Sequence, residues 1–251
     1  MREATPDPPA DALRLCDLAV PELCRRAMAR HLEVEPELDR RGQAAYLINR
    51  LANLICGELA RLDLAGCDPS GLEPADVAWR NERREYEEDG ELVAYLHHDL
   101  WLARAAPAGT ASDHALAAAL RRLFEPAVAG AAQAGPLSPA ALWRLVSDAV
   151  AAGYLNVGKA EGRAAYAMRR STAILDRAGP PLSNPQLRFV RLEASAEETR
   201  TGRAVADWFR LRGGCCRWYT APTGGYCGTC VLRKDREDWI RAAMIRLAAS
   251  D

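Results

Sequence analysis

A segment near the C-terminus, GGCCRWYTAPTGGYCGTCVLR (residues 213–233), contains four of the eight cysteines of the chain. Cys215 and Cys216 are adjacent, ten residues separate Cys216 from Cys227, and Cys227 and Cys230 form a C-x-x-C pair. Thiolates are ligands of zinc and of iron–sulfur clusters, whereas structural disulfides are rare in a reducing compartment. The segment therefore predicts a metal or redox site.

Three chemistries can use these four sulfurs. A single structural zinc ion prefers two C-x-x-C-like knuckles, and an adjacent pair converges poorly on one ion. A disulfide between Cys215 and Cys216 would close a strained ring. A [2Fe-2S] cluster divides four thiolates between two irons, so adjacent ligands need not converge on one ion. The spacing favours the iron–sulfur cluster, while zinc, disulfides and free thiols stay open as alternatives.

Basic residues surround these cysteines in the sequence. Six of them accompany a single acidic residue, Asp235, between residues 210 and 236: Arg210, Arg212, Arg217, Arg233, Lys234 and Arg236. A four-thiolate cluster is anionic and becomes more so on reduction, so cationic surroundings favour the reduced form and attract an acidic electron donor. A solvated basic rim without such a role is the alternative.

Glycines and aromatic residues complete the segment. The glycines indicate a backbone that passes close to a compact anion and turns its N–H groups toward sulfur: Gly213, Gly214, Gly224, Gly225 and Gly228. Three aromatic residues are expected to pack against the site or to shield it: Trp218, Tyr219 and Tyr226.

The other histidines and cysteines give weaker signals. His97 and His98 are adjacent on a predicted strand and point to opposite faces, so they are not expected to share a metal ion. His31 is expected at the surface or beside a helix cap. The remaining cysteines are expected to be buried apolar residues: Cys16, Cys24, Cys56 and Cys67.

The composition is that of a soluble globular protein. The 251 residues carry a formal net charge of −1, which gives no overall attraction to nucleic acid or lipid, and no groove-reading motif accompanies the basic residues. The stretch MREATPDPPAD lacks the apolar core of an export signal, and no run of eighteen apolar residues is present. We therefore expect a cytoplasmic protein without nucleic-acid partners or a membrane span.

Helices dominate the predicted elements. Apolar spacing and cap residues predict helices over residues 13–32 (interrupted or kinked at Pro21), 43–62, 113–132 (capped by Asp113), 137–155 (with Ser138-Pro139 at its start), 158–177 and 235–249. Residues 77–102 show partial alternation around Asp89-Gly90 and predict a β-hairpin. Residues 187–194 predict a short strand.

These elements predict a mainly α fold with a small β-hairpin, α+β being possible, and an irregular C-terminal module. We expect residues 1–205 to form a helical body that binds the substrate, with the hairpin near 77–102. Residues 206–251 are expected to form the cysteine module and a closing helix.

The pattern C-C-x10-C-x2-C, with aromatic residues after the pair and Gly224-Gly225-Tyr226 before the C-x-x-C, resembles the FhuF family of ferric-siderophore reductases. The resemblance covers about the last forty residues, and the preceding helical region is similar to the family's body only in length and texture. It implies a [2Fe-2S] cluster held by Cys215, Cys216, Cys227 and Cys230.

The resemblance also implies an activity. The protein would be a cytoplasmic oxidoreductase that reduces Fe(III) in a siderophore, of the hydroxamate type, to Fe(II). Its electrons would come from a ferredoxin or an NAD(P)H-dependent flavoprotein. Two alternatives remain: a zinc-stabilised helical binding module, and an iron–sulfur electron carrier without a chelate substrate.

Overall fold

The computed structural model describes residues 7–88, 90–199, 201–222 and 224–248. Its helices are α1 (Pro21–Ala29), α2 (Arg40–Leu64), α3 (Asp113–Ala134), α4 (Pro139–Ala160), α5 (Ala164–Ala178) and α6 (Arg236–Leu247). Its strands are β1 (Leu13–Arg14), β2 (Val77–Glu88), β3 (Glu91–Leu102), β4 (Arg188–Ala194) and β5 (Val205–Leu211). The fold is mainly α with a few strands, as the sequence predicts.

The hydrophobic core lies among α2, α3, α4 and α5. The long helices α2 and α4 pack closely against each other because Gly153 of α4 lies against the backbone of α2: a Cβ atom at this position would be 2.6 Å from the carbonyl oxygen of Cys56. Cys24 and Cys56 are fully buried in this core, as expected, whereas Cys16 and Cys67 are partly exposed. None of the helices in the described ranges is long and apolar enough to cross a membrane.

Two small antiparallel sheets flank the helices. β1, β2 and β3 form one sheet in that order, with Asn81 paired to His98, and β4 and β5 form the other. The hairpin predicted over residues 77–102 is confirmed, and Gly90 has the positive φ of 83° that its turn requires. Asp89, the other residue of the predicted turn, lies outside the described residues.

Most of the predicted helices are confirmed, with differences at their ends. Pro21 starts α1 at its first turn instead of kinking a longer helix, and the preceding residues form β1 and a 3-10 turn. Ser112, whose hydroxyl accepts the N–H of Ala115, caps α3 in place of Asp113. The helix predicted from residue 158 begins at Ala164, because α4 continues to Ala160 and Gly162 turns the chain with a φ of 69°.

The strand predicted over 187–194 is confirmed as β4, and its partner β5 was missed. The helix predicted at the C-terminus is confirmed as α6, which packs on β4. The predicted division of the chain after residue 205 stays a prediction.

A buried ion pair joins the last turn of α2 to α4 and α5. The side chain of Asp63 is only 2% exposed; it accepts a hydrogen bond from the Tyr154 hydroxyl at 2.8 Å and another from Arg170 Nε at 2.9 Å. We expect Asp63→Ala to lower the free energy of unfolding by about 3 kcal/mol, because Tyr154 loses its acceptor and Arg170 keeps only the more exposed carboxylate of Asp113. Urea denaturation measures this loss.

The matched control is Glu22→Ala, which removes the partner of an exposed ion pair with Arg25. This variant should change the free energy of unfolding by less than about 1 kcal/mol. Equal losses of unfolding free energy in Asp63→Ala and Glu22→Ala would show that burial does not strengthen the contribution of the ion pair.

Candidate metal centre

The cysteine segment connects β5 to α6, and backbone hydrogen bonds hold its two ends together. The N–H of Arg212, directly after β5, donates to the carbonyl of Thr229 at 3.1 Å. The N–H of Cys230 donates to the carbonyl of Cys227 at 3.0 Å, which closes the C-x-x-C turn. These contacts bring residues 215 and 216 next to residues 227 and 230.

The four thiols interact with one another as this backbone arrangement requires. A side-chain hydrogen bond joins Cys216 to Cys227, and Cys215 lies within electrostatic range of Cys230. Cys230 is buried, the other three are partly buried, and all four are free thiols. The hydrogen bond to Cys227 lowers the pKa of Cys216, whereas the same bond and burial raise the pKa of Cys227.

This donor set fits a two-iron cluster. The thiols interact in pairs, Cys216 with Cys227 and both Cys215 and Cys227 with Cys230, and a backbone N–H and a guanidinium contact two of the sulfurs, which suits anionic thiolates. Within the part of the chain that the structure describes, no three His, Cys, Asp or Glu side chains converge in the manner expected for ligands of a single metal ion. The assignment of the four cysteines as cluster ligands stays a prediction.

Arg212 is the basic residue whose guanidinium contacts a thiol directly. Its guanidinium is 7% exposed, lies 3.8 Å from the Cys227 sulfur and donates to Asn49 Oδ1 of α2 at 2.7 Å. Burial by itself would lower the pKa of Arg212, but the charges of Cys216, Asp148 and Cys227 raise it above its ordinary value. Arg212 therefore stays positive against the sulfurs.

Asp148 of α4 anchors the segment to the helical core. Its carboxylate is 1% exposed and accepts the N–H groups of Gly213 and Gly214, both at 2.9 Å, and Arg212 Nε at 3.4 Å. The glycines therefore turn their N–H groups to a carboxylate and not to sulfur, which corrects the sequence interpretation for these two residues. A Cβ at Gly213 would lie 2.0 Å from Asn184 Oδ1, so a larger residue here would displace the Asn184 side chain, which also donates to Asp148.

Two backbone N–H groups do point to sulfur, that of Arg217 to Cys215 and that of Trp218 to Cys216. Arg217 has a φ of 61°, in the left-handed region, and its N–H lies 3.4 Å from the Cys215 sulfur. Its side chain reaches away to Asp39 at the start of α2, at 3.2 Å. A residue that is not glycine is strained in this conformation, and the contacts at both ends of Arg217 hold it there.

The basic residues predicted around the cysteines make different contacts. Arg210 is partly buried and donates to the carbonyl of Asp148, and desolvation of its guanidinium lowers its pKa to about 10. Arg236 donates to the carbonyl of Arg212, and Arg233 pairs with the exposed Asp235. Among these described side chains, Arg212 is thus the basic residue that contacts a sulfur atom directly.

The aromatic residues also differ in their surroundings. Trp218 packs on Tyr46 of α2 with ring centroids 5.3 Å apart, next to Leu38 and Ala221. Tyr219 and Tyr226 stack at 5.2 Å and are 37% and 49% exposed, so they cover the outer side of the segment.

Two histidine expectations have different outcomes. His31 is only 2% exposed and contacts Tyr46 edge-on at 5.4 Å, so it is not at the surface, but it does lie beside a helix cap, since it directly follows Arg30, the C-cap of α1. The short 3-10 turn at Arg30–Glu33 places it against α2. His97 and His98 point to opposite faces as predicted, because His97 contacts Asp99 while His98 pairs across the strands with Asn81.

Residues 212–232 match the family model described as the FhuF 2Fe-2S C-terminal domain. This segment is similar to the FhuF 2Fe-2S C-terminal domain, and we call it the FhuF-type segment. The match confirms the family resemblance and the [2Fe-2S] cofactor that the sequence predicts. It covers the cysteine segment alone, and the helical body lies outside it. Neither the curated proteins nor the solved structures contain a significant match to the chain.

Asp148, Asn49 and Tyr46 escaped sequence reasoning although they support the FhuF-type segment. Asp148 had a detectable signal, since it follows Ser147 within the apolar run LWRLVSDAVAAGYL of a helix. A carboxylate on the buried face of a helix needs a buried partner. Asn49 and Tyr46 lie on a helix of ordinary pattern and gave no signal.

Removal of the Asp148 carboxylate should loosen the FhuF-type segment. We expect Asp148→Ala to lower the free energy of unfolding by about 3–5 kcal/mol, since it leaves Arg212 and two buried N–H groups uncompensated. The exchange rates of the Gly213 and Gly214 amide protons should rise by a factor at least as large as the change in the equilibrium constant of unfolding. Denaturation and amide hydrogen exchange measure both effects.

Glu237→Ala, which removes an exposed ion pair between α6 and Arg188 of β4, serves as the control. It should leave the exchange of both glycine amides unchanged. Unaltered protection of these amides in Asp148→Ala would refute the anchoring role of the carboxylate.

Proposed function

We propose that this protein is a cytoplasmic ferric-siderophore reductase in which Cys215, Cys216, Cys227 and Cys230 hold the [2Fe-2S] cluster. The observation that carries the proposal is the grouping of these four thiols beside the buried Arg212 within the FhuF-type segment. The family match supports an iron–sulfur protein of the siderophore-reductase type.

The chemistry needs one electron per iron. A [2Fe-2S] cluster held by Cys215, Cys216, Cys227 and Cys230 would supply one-electron transfer from a ferredoxin or a reduced flavoprotein to the ferric ion of the chelate. Hard oxygen donors of a siderophore bind Fe(III) far more tightly than Fe(II), so the reduced ion is released. The electron itself requires neither a general acid nor a general base.

The residues of the chain prepare the site for this charge change. Arg212 keeps a positive charge against the sulfurs and thereby favours the more negative, reduced form. The Arg217 N–H donates toward Cys215, which stabilises thiolate charge in the same direction. Asp148 holds the backbone before Cys215, so that the thiols keep their positions when the charge changes.

The exposed side of the segment suits contact with a donor protein. Tyr219 and Tyr226 cover it, and Arg233 lies nearby, with its guanidinium over Trp239 at 5.0 Å and its Nη2 donating to the Tyr226 carbonyl at 3.4 Å. Aromatic and arginine side chains are common at protein interfaces. An acidic ferredoxin or flavoprotein complements this surface.

Single substitutions test the ligand assignment. We expect each of Cys215→Ser, Cys216→Ser, Cys227→Ser and Cys230→Ser to lose most of the iron and the visible absorption of protein purified without oxygen, because each removes one thiolate ligand. Metal and sulfide analysis and absorption spectra measure this. The control, Cys16→Ser, changes a partly exposed thiol far along the chain and should keep the wild-type iron content.

Two results would reject the assignment. Colourless wild-type protein that contains zinc would indicate the structural zinc module. Full iron content in any of the four variants would remove that cysteine from the ligand set.

Stopped-flow mixing tests the reaction itself. Protein reduced by dithionite and freed of excess reductant should be reoxidised by a ferric hydroxamate chelate, and a ferrous-specific dye should detect one Fe(II) per electron. The rate should saturate with chelate concentration, because the chelate binds before it reacts. A rate that stays linear with concentration, without saturation, would favour the simple electron carrier.

The charge of Arg212 should appear in the reduction potential. We expect Arg212→Gln to lower the midpoint potential by on the order of 60 mV, which is about tenfold in a one-electron equilibrium, because a positive charge next to the sulfurs is lost. Arg212→Lys, which keeps the charge, should retain most of the potential. Spectroelectrochemical titration measures both.

Arg188→Gln is the control, since it removes an exposed guanidinium on β4. Its potential should stay within error of the wild-type value. A similar potential for Arg212→Gln and Arg212→Lys would show that the charge of residue 212 does not set it.

A further inference from the structure

The three nitrogen atoms of the Arg212 guanidinium each contact a different part of the molecule. Nη1 lies 3.8 Å from the Cys227 sulfur, Nε donates to Asp148 at 3.4 Å, and Nη2 donates to Asn49 Oδ1 at 2.7 Å. The contact to Asn49 is the shortest of the three and lies within the usual N–H···O range of about 2.7–3.2 Å, whereas the contact to Asp148 is longer. Asn49 of α2 therefore has the firmest hold on the guanidinium.

The orientation of the Asn49 amide follows from the chemistry of its partner. A guanidinium has donors but no acceptor, so the carbonyl oxygen of the amide, and not its NH2 group, must face Arg212. Asn53, one turn further along α2, donates from Nδ2 to the Asn49 backbone carbonyl at 2.6 Å and lies 3.4 Å from Asn49 Oδ1. Asn53 is thus a neighbour of the same residue type whose described hydrogen bonds go to Asn49 and not to Arg212.

A neutral acceptor at position 49 preserves the positive charge near the sulfurs. Arg210 and Arg212 both donate to Asp148, the first to its backbone carbonyl and the second to its carboxylate. Two cations and one anion leave one positive charge in excess. A second carboxylate at position 49 would cancel this excess, whereas an amide orients the guanidinium without adding charge.

The distance between the guanidinium and the sulfur determines how strongly this charge acts on a bound cluster. A Coulomb interaction falls as the inverse of the distance, so a displacement of about 1 Å from the present 3.8 Å would weaken it by about a fifth. Arg212 is only 7% exposed, so salt and water screen this interaction less than they would at the surface. A hydrogen bond that fixes the guanidinium therefore also affects the charge balance at the cysteines.

We propose that Asn49 is a positioning residue for electron transfer, whose Oδ1 holds the Arg212 guanidinium against Cys227 and thereby raises the reduction potential of the [2Fe-2S] cluster. The helical body thus adjusts the potential through one neutral hydrogen bond between residues 163 positions apart. This role rests on the cluster of the proposed function, but not on the identity of the substrate.

Asn49→Leu tests this role, because leucine is similar in size to asparagine but has no acceptor and no charge of its own. We expect the variant to shift the one-electron equilibrium of the cluster about threefold toward the oxidised form, which lowers the midpoint potential by about 28 mV. Spectroelectrochemical titration of the cluster-loaded protein measures this shift. The matched control is Asn53→Leu, which should keep the wild-type potential.

The Arg212→Gln background shows whether Asn49 acts through Arg212. In this background, Asn49→Leu should move the potential by less than a third of its effect in the wild type, because no guanidinium remains to be held. A direct effect of residue 49 on the cluster would instead produce the same shift in both backgrounds.

Urea denaturation tests the hydrogen bond itself, in protein with or without its cluster. Asn49→Leu should raise the equilibrium constant of unfolding about tenfold in the wild-type background, because a hydrogen bond to a charged group is lost. In the Arg212→Gln background the same substitution should raise this constant about twofold or less.

The outcomes separate this proposal from the proposed function. Equal potential shifts in the two backgrounds, or no shift in either, would overturn the role of Asn49 even if denaturation confirms the hydrogen bond. A shift that requires Arg212, in a protein that reduces no ferric chelate, would support the role of Asn49 and overturn only the reductase activity. Wild-type protein without a cluster would reject the proposed function and with it the effect of Asn49 on the potential.

Discussion

The carboxylate of Asp148 is the point on which the geometry of the candidate metal centre depends. It lies in the middle of α4, inside the core, and accepts two successive backbone N–H groups that directly precede Cys215. It also pairs with Arg212, the cation that contacts Cys227. One buried side chain therefore fixes both the start of the cysteine segment and the guanidinium that faces the sulfurs.

This arrangement balances charges that would each be costly alone. A buried aspartate without partners, or a buried arginine without a carboxylate, would destabilise the fold by several kcal/mol. Here the Arg212 guanidinium contacts both the Asp148 carboxylate and the Cys227 thiol. It also donates to Asn49 of α2. A [2Fe-2S] cluster with four thiolates is anionic and would lie next to these groups. Occupancy of the site and stability of the helical core should therefore be linked.

The large helical body has a role that the cysteines alone do not require. It supplies the contacts that hold the FhuF-type segment, at Asp148 and Asn49 on one side and at Tyr46 and Asp39 on another.

The sequence by itself determined the local features. Cysteine spacing favoured an iron–sulfur cofactor, periodic apolar residues identified the long helices, and Asp89-Gly90 located the hairpin, because each of these depends on residues close together in the chain. Only the tertiary structure decided that the N–H groups of Gly213 and Gly214 face a carboxylate, that Arg212 is the cation next to sulfur, and that His31 is buried. These facts join residues up to 163 positions apart, as between Asn49 and Arg212, and no local pattern encodes which distant side chain fills a given buried position.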